Sequence, residues 1–123
     1  YLSMATIIER DKRLTRKSGI HQISGKKIFG YEIHHGISSP STEPLLSFSD
    51  GTSCGMGSQN GQIWGCYLHG LFDSDDFRRW FIDHLRTAKG LSPVGQVLAP
   101  YDLEAAFDRL ADHVRHTVDM DFV

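Results

Sequence analysis

The spacing of the apolar residues changes once along this chain, and that change is the feature that most constrains the fold. Up to about residue 72 they alternate with polar residues or form short runs, which is typical of strands and loops. From residue 73 onward they recur at helical spacing, which is typical of amphipathic helices. This order predicts an α+β chain in which a mostly antiparallel sheet is followed by two packed helices.

Two segments carry the clearest strand pattern. In the segment 27–34, apolar side chains occupy one face, whereas Glu32 and His34 share the other. The segment 62–68 is predicted to be a second strand, and Tyr67 has the same parity as His69, which follows the strand. We therefore expect Tyr67 and His69 on one face.

The remaining strand predictions are shorter. Residues 6–9 and 13–16 are expected to form two strands separated by a charged turn. Residues 36–61 are rich in Ser, Gly, Pro, Thr and Asn, which favours a long loop with one brief strand at 45–48. Asn60-Gly61 is predicted to be the turn into the next strand.

Capping residues set the expected helix boundaries. Asp73 or Ser74 is suited to accept hydrogen bonds at the start of the first helix, and Gly90 is suited to end it. The second helix is expected over 102–118, after a linker that begins and ends with proline-containing segments. Both helices have an apolar stripe.

Composition limits the class of protein. The chain has 123 residues, one domain's worth, with 13 basic and 15 acidic residues and a net charge of -2. No apolar run is long enough to span a membrane, and the charge balance indicates no nucleic-acid partner. Two cysteines are too few for a disulfide scaffold, so we expect a cytoplasmic protein.

His69 is the leading candidate for catalysis. It ends an apolar segment immediately before a glycine and a helix start, so a rigid strand end presents a group that titrates near neutral pH. A structural, hydrogen-bonded histidine is the alternative. Glu32 beside His34 suggests either a carboxylate that orients an imidazole or an ordinary ion pair at a sheet edge.

The cysteines and histidines give no further site by spacing. Cys54 lies in a polar loop without the strand and helix that flank a nucleophile elbow, and Cys66 is interpreted as a small core residue. His34 and His35 point to opposite faces of a strand, so they are poorly placed to share a metal ion. No bound metal is predicted.

Three segments in this order carry a family resemblance: GYEIH at 30–34, WGCYLHGLFD at 64–73 and FRR at 77–79. With the closing helix at 107–120, they resemble the C-terminal glutamine amidotransferase domain of the cobyric acid synthases. The resemblance covers most of residues 1–123 apart from the loop 37–61, and it implies a piece of a flavodoxin-like α/β, class I-type amidotransferase domain. The cobyrinate a,c-diamide synthases are the weaker match.

The resemblance implies a protein that takes ammonia from glutamine and uses ATP to amidate corrinoid carboxylates in cobalamin biosynthesis. By motif position His69 is the catalytic histidine. Leu71 stands where many relatives carry an orienting glutamate, so Glu32 is a candidate substitute. Tyr67, expected on the same face as His69, is either part of the glutamine pocket or a tyrosine that packs in the core.

The family's nucleophile, in a Gly-x-Cys-Gly-Gly stretch, is expected upstream of this chain, as is the ATP- and Mg²⁺-using domain. We therefore expect the isolated fragment to be inactive. A non-catalytic docking module, which would use the basic strands near the start of the chain, is the alternative from another class.

Overall fold

The computed structural model of this chain describes residues 2, 4–40, 43–58 and 61–119. Within them, a sheet-forming part precedes two helices, as the change of period predicts. The elements, in chain order, are β1 (Met4–His21), β2 (Lys27–Pro40), β3 (Leu46–Phe48), β4 (Ser53–Cys54), β5 (Met56–Gly57), β6 (Trp64–Gly65), β7 (Leu68–His69), α1 (Asp75–Ala88) and α2 (Leu103–Thr117).

A long hairpin dominates the fold. β1 and β2 pair antiparallel along nearly their whole length, from Met4 opposite Pro40 to Ile20 opposite Lys27. The prediction of two short strands with a turn between them is wrong, because residues 9–12 stay within β1. The register shifts between Ile8 and Arg13, so residues 9–12 of β1 form a bulge. The ladder with β2 continues on both sides of it.

The sheet places β7 next to β2. Its strand order is β4-β3-β1-β2-β7, and all neighbours are antiparallel, while β5 and β6 form a separate two-stranded ladder. The single strand predicted over 62–68 is wrong. Its first part pairs with β5 and its last part with β2, so the chain bends at Tyr67 between the two ladders.

The loop prediction over 36–61 is partly correct. The brief strand at 45–48 is confirmed as β3, but β2 extends to Pro40, and β4 and β5 lie within the same stretch. Asn60 of the predicted turn lies outside the described residues.

The core lies between the sheet and the start of the first helix. Phe77 is the buried residue of α1 and is 0% exposed. Burying such a ring contributes about 1.5–3 kcal/mol to folding. The buried apolar residues that form this cluster are Ile28, Leu45, Leu46, Phe48, Leu68, Leu71 and Phe77.

Both helices lie close to their predicted ranges, but the capping hydrogen bond predicted at the start of α1 is wrong, since the Ser74 side chain makes none. Ser74 precedes α1, but its Oγ accepts the backbone N–H of Phe29 at 3.0 Å, which ties the start of α1 to β2. Gly90 has φ +74°, the left-handed conformation predicted after the last turn. Asp102 caps α2 by accepting the N–H of Ala105 at 3.1 Å.

The apolar stripe of α2 is exposed. No residue of α2 is buried, and Phe107 and Leu110 are 57% and 58% exposed. The expectation that the two helices pack together is therefore wrong. Helical periodicity identifies a face that favours burial, but it does not identify the surface that covers it.

The described residues thus form a small α+β unit, as predicted. The flavodoxin-like class of the surrounding domain stays a prediction. In the part of the chain that the structure describes, neither helix has the length and apolar character needed to cross a bilayer. The cytoplasmic location expected from the cysteines also stays a prediction.

Candidate functional site

His69 ends β7 at the edge of the sheet, and its side chain is exposed. Its cross-strand partner on β2 is Tyr31. The two rings stack in parallel with a lateral offset, with centroids 5.3 Å apart and planes inclined by 5°. The strand end therefore presents an accessible imidazole that lies against an aromatic ring.

Two glycines allow the backbone of His69 to take this position. A Cβ atom on Gly30 would lie 2.0 Å from the carbonyl oxygen of His69, far inside ordinary contact distance. Gly70 has φ +78°, and a Cβ atom there would lie 2.9 Å from Oδ2 of Asp73. The backbone of His69 therefore sits against β2 and turns at once toward the helix, a path that side chains at either glycine would obstruct.

Glu32 and His34 lie on the opposite face of β2, since successive residues of a strand point to opposite faces. Oε1 of Glu32 is 3.9 Å from Nε2 of His34, which confirms that the two share a face. Oε2 of Glu32 is 3.7 Å from Nζ of Lys17. The carboxylate predicted as a substitute partner for His69 is thus directed toward His34 and Lys17.

Lys17 connects this face to the loop after β3. Its Nζ donates to Oδ2 of Asp50 at 2.6 Å and to Oγ1 of Thr52 at 2.8 Å. The hydrogen bond to Asp50 raises the pKa of Lys17, and the same bond lowers the pKa of the Asp50 carboxyl. Lys17 therefore stays protonated at neutral pH and balances one of the two nearby carboxylates.

Tyr67 lies with His34, not with His69. Its ring stacks on His34 with centroids 4.3 Å apart, and its hydroxyl is 2.5 Å from Oγ of Ser38. The expectation that Tyr67 and His69 share a strand face is wrong because the bend at Tyr67 interrupts the alternation. The two faces of β2 thus carry different groups: Tyr31 with His69 on one, and Glu32, His34 and Tyr67 on the other.

A cavity of about 500 Å³ opens on the face of β2 that carries Glu32. Glu32, His34 and Tyr67 line it together with two free cysteines, Cys54 and Cys66. The interaction between the two thiols lowers the pKa of Cys66 and, with burial, raises the pKa of Cys54. Cys66 is partly buried against the core, in keeping with its interpretation as a small core residue.

The family model of the CobB/CobQ-like glutamine amidotransferase domain matches residues 1–77, more than half of the chain. The chain belongs to this amidotransferase family. The match contains GYEIH and the strand end with His69, two of the segments that carried the resemblance in the sequence.

Relatives of this amidotransferase piece are named for steps in cobalamin synthesis. The cobyric acid synthase of Nitratidesulfovibrio vulgaris is 52% identical over 101 residues, covering 78% of this chain and 19% of that protein. The adenosylcobalamin biosynthesis bifunctional protein CobDQ of Leptospira interrogans is 38% identical, covering 99% of this chain and 14% of its own length. A cobyric acid synthase of Cereibacter sphaeroides is 37% identical, covering 97% of this chain and 24% of that protein. The chain thus spans at most about a quarter of these relatives.

Several contacts near the candidate site could not be predicted from the sequence. Lys17, Tyr31 and the contact between Cys54 and Cys66 depend on which strands pair and in which register. Alternation places Tyr31 on a face but does not identify the residue across from it. Within the described residues, no group of three or more His, Cys, Asp or Glu side chains is arranged to hold a metal ion.

Proposed function

We propose that this chain is part of a cobyric acid synthase and that His69 is the general base of its glutamine-hydrolysing site. The observation that carries the proposal is the accessible imidazole of His69, fixed at a strand end within a CobB/CobQ-like amidotransferase match. Support for the corrinoid pathway comes from the names of the relatives. The cobyrinate a,c-diamide synthases are the alternative within the family.

In the proposed reaction His69 moves one proton twice. The imidazole accepts the proton of a cysteine thiol that lies outside this chain, and the thiolate attacks the carboxamide carbon of glutamine. As the carbon–nitrogen bond breaks, the imidazolium returns the proton to the amine, which leaves as ammonia. Water then hydrolyses the thioester to glutamate and free thiol.

The other half of the reaction is proposed to lie outside this chain. ATP and Mg²⁺ are expected to activate a corrinoid carboxylate, which ammonia converts to an amide. The sequence of this chain contains no glycine-rich phosphate loop that precedes a helix. We therefore assign glutamine handling to this chain, and nucleotide and corrinoid binding to the rest of the enzyme.

The test replaces His69 with alanine in the complete gene product. We expect glutamine-dependent amidation to fall by about 100-fold or more, the usual contribution of a general base, while amidation with added ammonia continues. His113→Ala, which removes an exposed histidine of α2, is the matched control. An unchanged glutamine-dependent rate in His69→Ala would reject the proposal in favour of a docking module. The corrinoid product of the active enzyme distinguishes the two synthases.

The isolated chain provides a second test. Because the proposed nucleophile lies outside it, the 123-residue polypeptide is expected to release no ammonia from glutamine. Ammonia release at an enzyme-like rate would show that Cys54 or Cys66 is the nucleophile and that the thiol was assigned to the wrong part of the protein.

A further inference from the structure

The side chain of His69 stacks on an aromatic ring. Its imidazole lies parallel to the ring of Tyr31, at a centroid distance of 5.3 Å and an angle of 5°. Among residues 4–40, 43–58 and 61–119, no hydrogen bond or ion pair to the ring nitrogens of His69 is formed. Among these residues, the aromatic contact is therefore the interaction that favours one plane of this imidazole.

Fixing that plane matters because χ2, the last side-chain torsion angle of histidine, has a broad and roughly two-fold distribution. The glycines at 30 and 70 fix the path of the backbone at His69, but they leave this torsion free. General-base catalysis needs one ring nitrogen within hydrogen-bond reach of the proton it accepts. In many enzymes a carboxylate holds the ring by a hydrogen bond. Here Glu32 points to the other face of β2, toward Lys17 and His34.

We propose that Tyr31 is a positioning residue for glutamine hydrolysis: its ring supports the His69 imidazole in the orientation that accepts the thiol proton. This inference rests on the proposed function of His69. Tyr31 reaches the imidazole because the two residues are direct cross-strand partners on one face of the β2–β7 pair. Directly opposite side chains in a sheet are close enough for aromatic rings to stack.

Three variants of the complete gene product test the role of the ring. Tyr31→Leu removes the ring, Tyr31→Phe keeps it without the hydroxyl, and Phe29→Leu removes an exposed ring from the same face two residues away. An aromatic pair contributes the equivalent of about a three- to tenfold change in an equilibrium or rate. We expect Tyr31→Leu to lower kcat for glutamine hydrolysis by about that factor, with KM changed by less than about twofold.

The same measurements define what would contradict the inference. Tyr31→Phe and Phe29→Leu are expected to retain kcat, and all three variants are expected to retain ammonia-dependent amidation. If Tyr31→Phe loses as much kcat as Tyr31→Leu, the hydroxyl acts and the ring does not, which overturns the stacking role. If Tyr31→Leu retains full kcat while His69→Ala is inactive, the positioning role is wrong and the proposed function stands.

Two further outcomes distinguish an error in the role of Tyr31 from an error in the proposed function and from a loss of folding. Full activity of His69→Ala overturns the proposed function, and the role of Tyr31 falls with it. If Tyr31→Leu also loses ammonia-dependent amidation, its fold is damaged. Tyr31→Ile, whose branched side chain suits a strand, is then judged by the same kcat criterion.

Discussion

Replacing Gly30 with alanine tests how closely His69 must lie against β2. The added Cβ atom would lie 2.0 Å from the carbonyl oxygen of His69, and an ordinary contact begins at 3.4 Å. The end of β7 or the middle of β2 must therefore move by about 1.4 Å. No side-chain rotation relieves this contact, because the atom that Cβ meets belongs to the backbone.

That displacement sets the expected size of the effect. A shift of about 1 Å in a catalytic group costs on the order of 100-fold in rate. Overpacking of this kind destabilises the fold by about 1–3 kcal/mol, partly offset by about 0.4–1 kcal/mol from the stiffer unfolded chain. We expect glutamine-dependent amidation by Gly30→Ala to fall by about 100-fold, with ammonia-dependent amidation retained.

Gly65→Ala is the matched control. A Cβ atom on Gly65 meets no atom within 4 Å, and its φ is not in the left-handed region. Both variants are compared with the parent enzyme by glutamine- and ammonia-dependent rates and by thermal denaturation. A glutamine-dependent rate of Gly30→Ala within about twofold of Gly65→Ala would refute the reasoning, because a displaced His69 cannot retain full activity if it is the general base.

Two further predictions concern titrating groups. Burial lowers the pKa of His21, so the folded chain binds fewer protons than the unfolded chain below about pH 6.5. The free energy of unfolding, measured in urea, should therefore be constant above that pH. It should fall as the pH drops from there toward the lowered pKa of His21. His21→Gln should remove this dependence, and its persistence would assign the effect to another group. The interaction with Cys54 lowers the pKa of Cys66, so alkylation of Cys66 by iodoacetamide, followed by mass mapping, should reach half its maximal rate below the pH expected for an ordinary thiol. Cys54→Ala should move that midpoint toward the ordinary value of about 8.5, and a midpoint already there in the parent protein would contradict the thiol contact.

The features that the sequence predicted correctly depend on local chemistry. Gly90 adopts the predicted left-handed conformation, and α2 lies within the predicted range 102–118, because helix ends depend on residues within one turn of the chain. The capping hydrogen bond predicted for Ser74 is wrong, because its side chain bonds to β2 instead. Alternation correctly placed Glu32 and His34 on one face, since the pleat has a period of two.

The features that the sequence predicted incorrectly depend on distant partners. The chain bends at Tyr67 because β6 and β7 pair with different strands. The pattern of residues 62–68 does not identify those partner strands. Likewise, residues 9–12 are charged as a turn would be, but β1 continues through them as a bulge because the ladder with β2 forms on both sides. The stack of Tyr31 on His69 is a consequence of register, which no single segment specifies.

The pleat of β2 has a consequence for how this region tolerates insertion and deletion. Deleting one residue just before Tyr31 would turn every following side chain of the strand to the reverse surface. The Glu32 carboxylate would then lie opposite His69, and the ring of Tyr31 would turn to the surface on which the cavity opens. Length changes in this strand should therefore be more damaging than most substitutions, because one change of register moves the side chains of both faces of β2.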